Sequence, residues 1–219
     1  MGLLMRDERE AVVAYGRMLV EHRLTRGTSG NLSVMDRDRR LFAMSPSGMD
    51  PFEVDIEDVV VMDLTGKVVQ GSRRPSSEWD MHRTLYVDRE DISAVVHTHS
   101  TFATALACTR EARTGAVRPV HYLAALAGPE LRCVPYHPFG SEKLAKAACV
   151  AMRGHRAVLL GNHGLLAAGG SIEQAFSIAL EIEFSCEVYC HARSMGTLAP
   201  LFDTEMRDAA KRFESYGQR

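Results

Sequence analysis

Apolar residues recur at helical spacing near the start of the chain, where Val12, Val13, Tyr15, Met18 and Leu19 share one face of a segment spanning about 6–23. That stripe predicts a helix covering a sheet. After a turn at Gly27 the pattern changes to short β-like runs at 32–35, 41–44 and 59–62, the last leading through Leu64-Thr65-Gly66-Lys67 toward Val68 and Val69. This half reads as an antiparallel or mixed sheet. From Ser76 onward helical and strand patterns alternate: a helix over 77–86, a strand over 92–97 and an alanine-rich helical segment over 102–107. Further strands are expected at 132–134 and 157–160. Helices are expected at 142–152, at 172–192 with Ser171 as N-cap, and at 204–216. The pattern predicts an α/β fold with a mixed or antiparallel central sheet flanked by helices.

No Pro/Ser-rich linker or change of composition divides the 219 residues, so the whole chain, 1–219, is expected to form one domain. With 26 basic and 28 acidic residues the net charge is −2. That balance creates no field for gathering nucleic acid or an anionic membrane, and it favours a small-molecule partner. The apolar stretches at 123–127 and 157–160 fall far short of the roughly 20 residues of a membrane span. The first ten residues lack a signal-peptide pattern, and a cytoplasmic protein is expected. Five cysteines form no C-x-x-C pair, and their odd number argues against a disulfide framework. Cys186 and Cys190, one helical turn apart, read as thiols packed on a helix face.

Candidate chemistry begins at His97-Thr98-His99, which closes the apolar run through Val95 and Val96. Residues i and i+2 of a strand face the same side, so two imidazoles point together. Neutral imidazole is a favoured zinc donor, and a catalytic zinc commonly takes three protein ligands. Nine histidines in 219 residues produce about 0.4 such pairs in a shuffled chain, so the spacing gains weight only from its company. Glu78 lies upstream in Pro75-Ser76-Ser77-Glu78-Trp79, and His163 follows the apolar run 157–160 in Asn162-His163-Gly164. Three loops rich in hydroxyls and backbone N–H groups accompany them: Gly27-Thr28-Ser29-Gly30-Asn31, Ser45-Pro46-Ser47-Gly48 and Ser76-Ser77. Together they could hold a phosphate, although each alone is more commonly a turn. Neither phosphate-binding fingerprint, G-x-x-x-x-G-K-[ST] or G-x-G-x-x-G, is present, and no G-x-S-x-G elbow points to a serine hydrolase.

Taken in order, these segments resemble the class II aldolase/adducin family, most closely its fuculose-phosphate aldolase branch. The resemblance covers almost the whole chain, continuing through His121-Tyr122 and Pro138-Phe139-Gly140 to Phe213-Glu214-Ser215-Tyr216-Gly217. It implies that His97, His99 and His163 bind a divalent metal, zinc foremost with manganese or cobalt as alternatives, and that Glu78 is both a ligand of the empty metal and an acid/base. It further implies that Thr28, Asn31, Ser47, Gly48, Ser76 and Ser77 bind a substrate phosphate. Tyr122 would act as acid/base from a neighbouring subunit, and Phe139, Phe213 and Tyr216 would wall or close the pocket. A homotetramer with active sites between subunits is implied as well.

The implied reaction is retro-aldol cleavage of a ketose 1-phosphate to dihydroxyacetone phosphate and an aldehyde. Candidate substrates are L-fuculose 1-phosphate and the 5-deoxyribulose or 5-methylthioribulose 1-phosphates. Lysine Schiff-base chemistry is disfavoured, because Lys67, Lys143, Lys146 and Lys211 lie outside these motifs. Two alternatives remain: a sugar-phosphate 4-epimerase of the same superfamily, and a non-catalytic adducin-like scaffold. Epimerases typically carry Asp at the position of Glu78, and scaffolds lose metal ligands.

Overall fold

A computed structural model describes residues 2–215. Its strands are β1 (Asn31–Asp36), β2 (Leu41–Met44), β3 (Val60–Asp63), β4 (Val68–Gln70), β5 (Ala94–Thr98), β6 (Ala116–Val117), β7 (Leu131–Val134), β8 (Ala157–Leu160) and β9 (Gly164–Gly169). Its helices are α1 (Arg6–Glu21), α2 (Trp79–Asp88), α3 (Thr101–Ala107), α4 (Arg110–Arg113), α5 (Glu142–Ala151), α6 (Ile172–Met195) and α7 (Asp203–Glu214), with a 3-10 turn at Tyr122–Leu126. The strands form one sheet in the order β4-β3-β2-β1-β5-β9-β8-β7-β6. Only β7 and β8 run parallel, so the sheet is mixed, as the pattern predicts.

Both faces of this sheet are covered. Val96, Leu159 and Leu165 point to a core completed by Val12 and Leu19 of α1 and by Ile178 and Ile182 of α6. Their neighbours Val95, Val158 and Leu166 point to the opposite core, completed by Met81 and Leu85 of α2 and Leu144 of α5. The alternation of side chains along a strand divides the apolar residues between two layers. Every residue of β5, β8 and β9 is buried for that reason, and a strand buried on both faces reads in sequence as a continuous apolar run.

β9 is the element that the hydrophobic pattern misses. Gly164-Leu165-Leu166-Ala167-Ala168-Gly169 contains no β-branched residue and has little strand propensity of its own. It becomes a strand because antiparallel partners, β5 and β8, flank it on both sides. β6, α4 and the 3-10 turn escape the pattern because two to five residues show no period. Ser171 caps α6 as predicted, its hydroxyl accepting from the Gln174 N–H at 3.3 Å. Cys186 is buried and Cys190 half-buried, and all five cysteines are free thiols.

α6 also fixes the segment that carries His99. Its Glu183 carboxylate accepts from Ser100 Oγ at 2.7 Å and from the backbone N–H groups of Phe102 and Ala103 at 2.8 Å each. A carboxylate there satisfies the orphan donors of the first turn of α3 and complements the positive end of that helix. Glu183→Ala is therefore expected to lower stability by about 2 kcal/mol, read as a shift in urea midpoint. Glu183→Gln should lose less.

Candidate active site

Four side chains converge from three places in the fold. β1 and β5 pair with Asn31 opposite His97, so both side chains leave the same sheet face. His99 lies just past the end of β5, and Glu78 sits at the N-cap of α2. His163 is delivered by the tight connection between β8 and β9, where Asn162 takes a left-handed φ of 53°, a conformation that Asn tolerates better than most residues. At Gly164 a Cβ would stand 2.1 Å from the Thr98 carbonyl oxygen and 3.2 Å from His99 Cδ2. Only glycine lets the two segments approach this closely.

One donor atom from each of Glu78, His97, His99 and His163 lies within 4.8 Å of the others. The Nε2 atoms of His97 and His99 are 3.0 Å apart. Glu78 Oε2 is 3.1 Å from His97 Nε2, and Oε1 is 3.5 Å from His163 Nε2. Tetrahedral ligands at about 2.0–2.1 Å from a zinc-sized ion stand about 3.3–3.4 Å from one another, and the observed separations bracket that value. The Nδ1–H of His97 donates to the Leu165 carbonyl at 2.9 Å, which turns its Nε2 toward the cluster. Glu78 Oε1 is buried with no hydrogen-bond partner among the described residues. Three imidazoles and a carboxylate with an orphaned oxygen fit a divalent cation.

Without a metal, the cluster balances itself through its protonation states. Burial alone would raise the Glu78 carboxyl, yet His97, His163 and the Asn31 amide hold it well below the usual carboxylate range. Burial likewise opposes charge on His97, but Glu78 and the Leu165 carbonyl outweigh it and push the ring up. His99 and His163 are pushed down to about 4 by burial and by the neighbouring His97. In the metal-free site these environments favour a proton on His97 over one on His99 or His163.

Above this cluster opens a cavity of about 380 Å³. Its walls include Thr28, Asn31, Ser47, Gly48, Ser76 and Ser77, the residues that the sequence groups as phosphate binders, together with Glu78, His99, His163 and Phe139. The second and third loops are tied together: Ser76 N–H donates to the Ser45 carbonyl at 3.0 Å and Ser47 N–H to the Arg74 carbonyl at 2.9 Å. His97 is wholly buried beneath the cavity. Tyr122 and Phe213 do not line it; Tyr122 is 52% exposed, and their rings stack on each other with centroids 6.0 Å apart. Tyr216 lies outside the described residues.

Tyr136, His137 and Asn162 also face the cavity and were not singled out as site residues. The available signal was their position next to Pro138-Phe139-Gly140 and His163. His82, one turn after Glu78 and fully buried, was missed as well.

Residues 10–190 match the model of the Class II Aldolase and Adducin N-terminal domain. This chain belongs to the class II aldolase/adducin family. It is 48% identical over 99% of its length, and 100% of the relative, to a 5-deoxy-D-ribulose 1-phosphate aldolase of Bacillus thuringiensis. It is 35% identical to a 5-methylthioribulose-1-phosphate/5-deoxyribulose-1-phosphate aldolase of Rhodospirillum rubrum, over 95% of this chain and 92% of that one. A solved L-fuculose 1-phosphate aldolase superposes with a TM-score of 0.92 at 45% identity, covering 97% of this chain and 98% of that one. With such relatives the chain is a class II aldolase, and a non-catalytic scaffold is set aside.

A metal ion held by His97 would compete with the ring's proton, so binding is expected to depend on pH. His97 is raised above its ordinary 6.5, so below that raised value each ion bound should release about one proton, and affinity should fall about tenfold per pH unit as pH drops. Well above it, affinity should level off. Calorimetry of the stripped class II aldolase in buffers of different ionisation enthalpy reads the proton directly.

Proposed function

We propose that this class II aldolase cleaves a 5-deoxypentulose 1-phosphate, 5-deoxy-D-ribulose 1-phosphate foremost, to dihydroxyacetone phosphate and acetaldehyde. The observation that carries the reading is the four-donor cluster on the floor of a cavity whose rim is built from three hydroxyl- and glycine-rich loops. The choice among ketose phosphates rests on the two relatives named for 5-deoxyribulose 1-phosphate. Zinc is the proposed ion, with manganese or cobalt as substitutes, held by His97, His99 and His163 and, before substrate enters, by Glu78. When bound, it supplies Lewis-acid charge that offsets the negative charge developing as the carbon–carbon bond breaks.

The remaining chemistry belongs to the chain. The loops at Thr28 and Asn31, at Ser47 and Gly48 and at Ser76 and Ser77 bind the phosphate and set the register of the substrate, converting remote binding energy into alignment. Tyr122 accepts the proton of the C4 hydroxyl as the C3–C4 bond breaks and its electron pair passes to C3, conjugated with the C2 carbonyl. Glu78, having taken up a proton from solvent, then delivers it to C3 and returns to the carboxylate. The role of Tyr122 requires the phenolate form of its hydroxyl, which positive charge beside it favours. Tyr122 is exposed and lies off its own chain's cavity, which supports its serving a neighbouring copy in a homotetramer. Phe139 walls the aldehyde end. No helix among the described residues is long and apolar enough to cross a membrane, and a cytoplasmic site of action is part of the same reading.

The test is product analysis on metal-loaded protein. Release of free acetaldehyde and dihydroxyacetone phosphate is expected, abolished by chelation; an epimerised sugar phosphate in their place would reject the proposal. Across the three candidate substrates, kcat/KM should be highest for 5-deoxy-D-ribulose 1-phosphate. The margin over the methylthio analogue should be only about 10- to 100-fold, because an apolar wall separates methyl from methylthio weakly. Glu78→Gln and Tyr122→Phe should each keep stoichiometric metal while kcat falls by about 10²- to 10⁴-fold. His99→Ala should lose the metal and turnover together.

A further inference from the structure

α2 meets the sheet along a polar seam inside an otherwise apolar layer. Glu78, His82 and Tyr86 are spaced i, i+4, i+8, so they share one helix face. They confront Asn31 and Ser33, which share one face of β1. All five side chains are buried, His82 and Ser33 completely. The hydrogen bonds run without a break: Asn31 Nδ2 to Glu78 Oε2 at 3.0 Å, His82 Nε2 to Asn31 Oδ1 at 2.7 Å, and His82 Nδ1 to Ser33 Oγ at 2.8 Å. The one Tyr86 hydroxyl proton is shared between Ser33 Oγ at 2.6 Å and the Ser33 carbonyl at 3.0 Å.

The chemistry of the groups fixes the direction of this chain. An ionised Glu78 only accepts, so Asn31 presents its NH₂ to the carboxylate and its carbonyl oxygen to His82. That oxygen needs a donor, which makes His82 Nε2 the protonated nitrogen. Burial pushes the imidazolium down to about 3, so the ring is neutral, and its bare Nδ1 accepts from the Ser33 hydroxyl. Reversing Asn31 or His82 would set two donors or two acceptors face to face in a buried seam.

We propose that His82 is the positioning residue of this site. As the Nε2–H tautomer it holds the Asn31 amide in one orientation, and through it the Glu78 carboxylate, so that Oε2 is tethered beside His97 and Oε1, without a hydrogen bond, is turned toward His163. The proposal rests on the reading of Glu78 as metal ligand and proton carrier. It also links the two ends of the substrate site, since Asn31 keeps one Nδ2 proton for the phosphate while the other holds the carboxylate.

Three variants separate positioning from packing. His82→Gln places an amide NH₂ near the Nε2 position and can still donate to Asn31; His82→Asn is too short to reach it, and His82→Leu fills the space without a donor. Zn²⁺ affinity of the stripped proteins, measured by competition with a chelator, should fall about 10- to 100-fold in His82→Leu and His82→Asn. It should stay within about threefold in His82→Gln. Exchange of solvent deuterium into C3 of dihydroxyacetone phosphate should follow the same order, with the loss in kcat and not in KM. In the metal-free native protein, ¹⁵N NMR of the His82 ring should show the Nε2–H tautomer.

If His82→Leu does not fold, the Gln and Asn variants decide the matter between them. Equal zinc affinity in Gln and Asn variants, or an Nδ1–H tautomer, would overturn the proposal. If the native protein binds zinc but exchanges no proton, the assigned reaction fails, and zinc affinity and the tautomer still judge His82.

Discussion

A carboxylate and three imidazole nitrogens held within 4.8 Å of one another in the protein interior repel unless a positive charge sits among them. In the metal-free chain Glu78 favours a proton on His97, while burial disfavours one on His99 and His163. A divalent cation supplies the positive charge better, because it faces all four donors at once. The surrounding architecture exists to maintain this crowding: a strand buried on both faces carries His97, a glycine without room for a Cβ admits the segment with His163, and Glu183 clamps the chain after His99.

The polar seam beneath α2 extends that constraint into the core. In a layer filled by Met62, Met81, Leu85 and Leu166, a run of hydrogen bonds from Tyr86 to Glu78 is stable only if every donor meets an acceptor. Full satisfaction leaves a single orientation for each amide, ring and hydroxyl. The Glu78 carboxylate at the end of the run inherits that order and does not wander among rotamers. Asn31 belongs to both this seam and the cavity wall, so one residue of β1 joins the Glu78 carboxylate to the cavity.

Tyr122 belongs to a different region. It opens a 3-10 turn whose Ala124 and Ala125 pack on Met206 of α7, a small cluster set apart from the two main cores. Its ring is half exposed and stacked on Phe213. A phenol carried on a satellite of this kind is presented outward, away from its own chain's cavity.

Most helices and strands were legible in the local order of residues, because hydrophobic period is a local property: α1, α2, α5, α6 and the strands β1–β3, β5 and β8 lie within a few residues of their expected places. The paired histidines and the three loops were legible too, as residue types at short spacing. β9 was not, since its leucines and alanines become a strand only through partners on either side. Nor could spacing show which of nine histidines face inward, that His82 supports Asn31 where His97 opposes it, or that Tyr136 and His137 border the cavity. Those facts follow from burial and hydrogen-bond direction between segments some fifty or more positions apart along the chain, and such long-range contacts leave no periodic trace in a single chain.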